Sequence, residues 1–129
     1  MESLKELKSL YLDQNQISEL VNIPKLSKLE YLECGMNEIN KVRDIENFNN
    51  LKYLYLEDNK ITDFSWIEKL SCLKVLDLSG NKISNVPKLH LQDLTHLESI
   101  DLYDNPISKV ELAKLGGQII RGKFVSFKR

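Results

Sequence analysis

The chain is poor in the residues that usually mark chemistry. Its 129 residues include two cysteines, two histidines, one tryptophan, three prolines and five glycines. His90 and His96 have no cysteine or carboxylate at ligand spacing, so they read as surface residues and no metal site is expected. No Gly-rich phosphate loop occurs, and Cys72 has no neighbour that would make it a nucleophile. No stretch approaches the roughly 18 apolar residues of a membrane span. The opening M-E-S-L-K-E-L-K alternates charge with leucine, unlike a signal peptide. A net charge of −1 with 29% charged residues argues against a polybasic nucleic-acid binder and against a disordered chain. The expectation is a non-enzymatic protein without cofactor, metal or membrane segment.

What the chain does have is a repeat. Leu73 to Ile83 reads L-K-V-L-D-L-S-G-N-K-I, with apolar residues at places one, four, six and eleven and asparagine at place nine. The spacing recurs as Leu7, Leu10, Leu12, Asn15, Ile17; as Leu29, Leu32, Cys34, Asn37, Ile39; as Leu51, Leu54, Leu56, Asn59, Ile61; and as Leu97, Ile100, Leu102, Asn105, Ile107. Starts at 7, 29, 51, 73 and 97 are a solenoid signature. The L-x-L alternation turns leucines inward on short strands, which lie in register as a parallel sheet centred near residues 10, 32, 54, 76 and 100. Each asparagine is expected to be buried where the chain leaves the strand, its amide satisfying backbone groups of adjacent turns. Between these cores apolar residues recur every third place, as in Phe64, Ile67 and Leu70, which suits a 3₁₀ or irregular helical return arm.

These motifs resemble the leucine-rich repeat family, in its class with twenty-two-residue repeats known from a protein phosphatase regulatory subunit. The resemblance covers about residues 4–110 and implies an α/β solenoid. Its sheet would line the concave side of an arc, with the 3₁₀ or irregular arms on the convex side and the family's usual protein-binding face on the sheet. Residues 1–129 would form one domain, with five repeats and a C-terminal cap over about 108–129. Departures from the family pattern are Cys34 in place of leucine, the His90-Leu91 insertion, and both ends. Cys34 replaces a core leucine as a small hydrophobe. It lies two strand spacings, about 10 Å, from Cys72, too far for a disulfide. Free thiols point to a reducing, cytoplasmic setting.

The tail reads as a helix from about Ser108 to Leu115, stopped by Gly116-Gly117. One or two strands carrying Ile119, Ile120, Phe124, Val125 and Phe127 then cover the last repeat. From Lys114 onward the five charged residues are all basic. They either blunt a strand edge or form a contact site. Trp66 sits off-period in the third return arm, and either covers that arm or marks a second contact.

Places three, five, seven and eight of each core face outward on the concave side. These twenty positions hold all five tyrosines (Tyr11, Tyr31, Tyr53, Tyr55 and Tyr103) and seven carboxylates (Asp13, Glu33, Glu57, Asp58, Asp77, Asp101 and Asp104), with no lysine or arginine. The rest of the chain carries twelve acids against eighteen bases. Strand propensity accounts for some of the tyrosine, but it does not account for the absence of every base. Asp77 and Asp101 fall roughly 5 Å apart on neighbouring strands, an arrangement that a partner's cation would relieve. A retaining glycosidase uses a similar carboxylate separation, but an open sheet offers no pocket to desolvate one of them.

The expected function is non-catalytic binding of a basic protein partner through this face. Its sharpest form is an inhibitor or immunity protein of a cationic enzyme such as a nuclease toxin; ribonuclease-inhibiting leucine-rich repeat proteins set the analogy. The alternative is a regulatory or scaffolding subunit of an intracellular enzyme such as a phosphatase. A nucleic-acid contact through the tail is disfavoured by few bases and no stacking platform. A monomer is expected.

Overall fold

The computed structural model describes residues 2–116 and 124–126. In chain order its strands are β1 (Ser9–Tyr11), β2 (Glu19–Leu20), β3 (Tyr31–Glu33), β4 (Lys41–Val42), β5 (Tyr53–Tyr55), β6 (Val75–Asp77), β7 (Ser99–Asp101) and β8 (Phe124–Ser126). Six of them form one parallel sheet in the order β1-β3-β5-β6-β7-β8, and β2 pairs with β4 at the side of the first two repeats. The five repeat strands lie where the L-x-L spacing puts them. Leu10, Leu32, Leu54, Leu76 and Ile100 stack in one row behind the sheet.

The return arms are built as the three-residue period requires. Turns of 3₁₀ helix span Glu2–Glu6, Ile45–Asn47, Ser65–Lys69 and Leu91–Asp93. Within the third arm Phe64, Ile67 and Leu70 are all buried, because residues three apart eclipse on a 3₁₀ turn and face the core together. The arm after Ile17 forms no helix and carries Pro24, whose missing N–H and fixed φ suit an extended path. Trp66 is buried in the third arm, its indole Nε1–H donating to the Asp63 carbonyl at 2.9 Å. The ring therefore covers its own arm.

Burial holds this stack together. Each leucine taken fully out of water contributes about 1.5–3 kcal/mol. By contrast, the exposed cross-repeat ion pairs, such as Glu30–Lys52 at 3.5 Å, contribute about 0–1 kcal/mol each.

The asparagine column orders the turns. Asn59 Nδ2 donates to the carbonyls of Cys34, Leu56 and Glu57, while its Oδ1 accepts the Ile39 N–H. Asn37, Asn81 and Asn105 repeat the arrangement, and all four are buried. Asn15 corrects the expectation of five buried amides, for it is exposed and its side-chain amide donates to Leu12 and Asp13 in its own turn. Each later asparagine also reaches a carbonyl of the turn before its own, whereas the Asn15 amide bonds within its own turn. Leu7, Leu10, Leu12 and Ile17 are likewise only partly buried, with Leu4 packed beside them.

At the other end, helix α1 (Lys109–Gly116) falls within one residue of the expected span. Ser108 Oγ accepts the Glu111 N–H, and the Glu111 carboxylate accepts the Val86 N–H at 2.8 Å, which ties the helix to the fourth arm. Strand β8 pairs in parallel with β7 in the register Ser99–Phe124, Ile100–Val125 and Asp101–Ser126. The sheet edge of the last repeat is thereby covered. Ile119, Ile120 and Phe127 lie outside the described residues.

Candidate functional site

Two rows of side chains rise from the open face of the sheet. Strand register fixes the first as Ser9, Tyr31, Tyr53, Val75 and Ser99, and the second as Tyr11, Glu33, Tyr55, Asp77 and Asp101. Places seven and eight lie past the strand. The eighth residue of every repeat (Gln14, Met36, Asp58, Gly80 and Asp104) adopts a left-handed backbone with φ between 53° and 68°. Asp58 and Asp104 therefore stand on a turn at the rim of the face, beside the exposed Tyr103.

Tyr31 is the hub of the aromatic half. Its ring centroid lies 5.4 Å from Tyr11, 6.0 Å from Tyr53 and 5.4 Å from Tyr55, all in tilted contact. Its hydroxyl donates to Glu33 Oε1 at 2.8 Å. That bond to a carboxylate, with burial behind it, holds the phenol protonated well beyond its ordinary range. Tyr55 is shifted the same way, first by burial and then by Asp77. These rings present neutral, polar-edged aromatic surface.

The acidic half lies toward the C-terminal strands. Asp77 and Asp101 are directly opposite in register. Asp77 Oδ1 accepts the Ser79 N–H and Oγ–H at 2.9 and 2.7 Å, and Asp101 Oδ1 accepts the Tyr103 N–H at 2.9 Å. Each carboxylate thus holds its own turn and is less naked than the sequence suggests. Glu57 is raised above the usual carboxylate range, chiefly by burial and then by Asp77. Its carboxylate lies over Gly35, where any Cβ would collide with Glu57 Oε1. Asp58 covers Gly80 in the same way. Behind the face, burial pushes the Cys34 thiol up to about 12, which leaves it an inert core residue.

Several of the basic side chains are engaged elsewhere. Glu6–Lys28, Glu19–Lys41, Glu30–Lys52, Glu38–Lys60, Glu46–Lys69 and Glu68–His90 pair one repeat with the next. Among the described residues, none of the seven concave carboxylates takes part in an ion pair. The register also shows a feature that residue counting passes over. Where the third-place row changes from tyrosine to Val75 and Ser99, a hollow of about 240 Å³ opens, lined by Tyr55, Val75, Asp77, Ser99 and Asp101. The drop in side-chain size along that row was the available signal.

A family model for leucine-rich repeats in two copies matches residues 5–50, 49–89 and 73–114. No curated protein sequence matches the chain. Among solved structures it is similar to internalin C2 of Listeria monocytogenes, with 29% identity, a TM-score of 0.76, and coverage of 97% of this chain and 53% of that one. An internalin inlF of the same organism aligns at 25% identity and TM-score 0.68, over 98% of this chain and 44% of its own. TLR13, in its complex with ssRNA13, aligns at 28% identity and TM-score 0.76, over 93% of this chain and 18% of that one. The chain spans about half the length of the internalins it resembles.

Proposed function

Because the chain belongs to the leucine-rich repeat family, we propose that it is a non-catalytic protein–protein interaction module that holds a basic protein on its acidic, tyrosine-rich face. The observation that carries this reading is the separation of charge. Lys28, Lys41, Lys52, Lys60 and Lys69 pair with acids on the other surfaces, while among the described residues the concave carboxylates take part in no ion pair. A positively charged partner would be steered onto such a face and would gain most there. Tyr31, Tyr53 and Tyr55 supply rigid aromatic area of the kind that dominates interface energies, with Tyr11 and Tyr103 flanking it. Asp13, Glu33, Glu57, Asp58, Asp77, Asp101 and Asp104 supply the charge.

The sharpest form of this reading is an inhibitor or immunity protein that covers a cationic enzyme surface, a nuclease toxin for example, in a reducing cytoplasm that suits two free cysteines. TLR13 was solved with an RNA, but a row of carboxylates would repel phosphate, so a protein ligand is the better fit here. A regulatory or scaffolding subunit of an intracellular enzyme is the second reading, supported by the twenty-two-residue repeat class. Activity of the captured enzyme separates the two, since an inhibitor abolishes it and a regulator redirects it.

The test is capture from lysate on the immobilised chain, with bound proteins identified and their charge compared. Basic proteins should be retained at low salt and released at high salt by the wild type, and lost from a variant carrying both Tyr55→Ala and Asp77→Asn. Equal capture by wild type and variant would overturn the assignment of this face.

A further inference from the structure

The concave face is divided. Strands β1, β3 and β5 carry the packed tyrosines, β6 and β7 carry Asp77 and Asp101, and the hollow lies where the two halves meet. We propose, resting on the protein-binding reading above, that the face takes an extended peptide segment with an apolar residue on the tyrosine platform and an arginine side chain seated in the hollow. The fit is to arginine for three reasons. Tyr55 walls the hollow, and a planar guanidinium stacks on a phenol ring. Asp77 and Asp101 use Oδ1 for their own turns, and among the described residues their Oδ2 atoms accept no hydrogen bond. A planar fork of N–H donors can face these carboxylate oxygens while stacked flat on the ring, a geometry that the compact, strongly hydrated ammonium of lysine does not share. Val75 and Ser99 provide the room, which tyrosines take up at the same row in β3 and β5.

Spacing follows from the sheet. From the Tyr31 strand to the gap between β6 and β7 is about two and a half strand separations, about 12 Å, which an extended chain covers in about four residues. The segment crosses the strands, so its apolar group and its arginine are about four residues apart. A cation alone would lose the aromatic half, and an apolar segment alone would leave the carboxylates uncompensated.

The experiment uses the full isotope-labelled chain and two synthetic peptides, acetyl-Phe-Gly-Ser-Gly-Arg-amide and the same peptide with citrulline in place of arginine. Citrulline keeps the shape and removes the charge. In an NMR titration the arginine peptide should shift the amides of Tyr31 and Tyr53 together with those of Val75, Asp77, Ser99 and Asp101. The citrulline peptide should bind about tenfold more weakly and lose the second group of shifts. Ser99→Tyr, which places at β7 the side chain that the same row carries at Tyr31 and Tyr53, should fill the hollow and make the two peptides equal. Equal affinity of the two peptides for the wild type overturns the proposal, as does no measurable binding or a set of shifts away from the hollow. The broader reading fails separately, only if lysate capture survives the loss of Tyr55 and Asp77.

Discussion

The Ile39 N–H is held by a side chain from the following repeat, donating to Asn59 Oδ1 at 2.8 Å. Asn59 also donates to three carbonyls, so one amide satisfies four backbone groups in two turns. Replacing Asn59 by Ala strands the Ile39 N–H in a buried site, at about 1–3 kcal/mol, while the three carbonyls keep donors from Asn37, Asn81 and Met36. Denaturant unfolding should show a loss in that range for Asn59→Ala. Asn15→Ala, which removes bonds from an exposed amide to its own turn, should cost less than about 1 kcal/mol. Equal losses would mean that the ladder between repeats contributes nothing.

Deleting residues 116–129 removes β8 and bares the backbone edge of β7. Aggregation or a broad, poorly cooperative melt is expected, because a terminal repeat needs a cover. Light scattering and calorimetry of the truncated chain decide it. A soluble, sharply melting product would make the tail dispensable for folding.

Glu57 gives a pH signature. Its carboxyl titrates above the ordinary value of 4.5 in the fold because burial and Asp77 disfavour its charge. The folded protein therefore holds this proton more tightly than the unfolded chain does. Stability falls as pH rises through the window above 4.5, and below that value the penalty is absent. Glu57→Gln should raise the melting temperature at pH 7 and leave it unchanged near pH 4. A gain of equal size at both pH values would assign the effect to packing over Gly35.

Tyr55→Ala should weaken binding of the captured partner by about 2 kcal/mol, mainly through faster dissociation. The ring also touches Tyr31, so the free protein should lose about 1 kcal/mol of stability. Surface plasmon resonance and a melt of the same preparation read both. An unchanged dissociation rate would move attention from the tyrosines to the rim.

Asp77→Asn separates charge from turn geometry, for asparagine Oδ1 can still accept from Ser79. Association with a basic partner should slow, and the difference from wild type should shrink as salt rises. Stability should hold or rise, since a like charge opposite Asp101 has been removed. Stopped-flow rates across an ionic-strength series provide the check. A salt-independent change would exclude steering.

The repeat frame was legible in the sequence because its information is local and periodic. Leucines two apart in a strand, an asparagine three residues beyond the last of them and apolar residues every third place each specify a conformation within a single repeat, and stacking then follows. The tail helix was legible for the same reason, since its span was read from neighbouring residues alone. What one repeat presents to the next was not legible. Asn15 shares the sequence place of Asn59 yet lies in water, its amide bonded within its own turn. Tyr31 became the aromatic hub only through the strands on either side of it. Asp77 and Asp101 read as bare charges until the turns folded back onto their Oδ1 atoms. The hollow between them exists because Val75 and Ser99 fall side by side across β6 and β7. Sequence determined the rungs, since these rest on short-range periodicity. Tertiary structure decided the face, since contacts across repeats depend on which unlike side chains the register brings together.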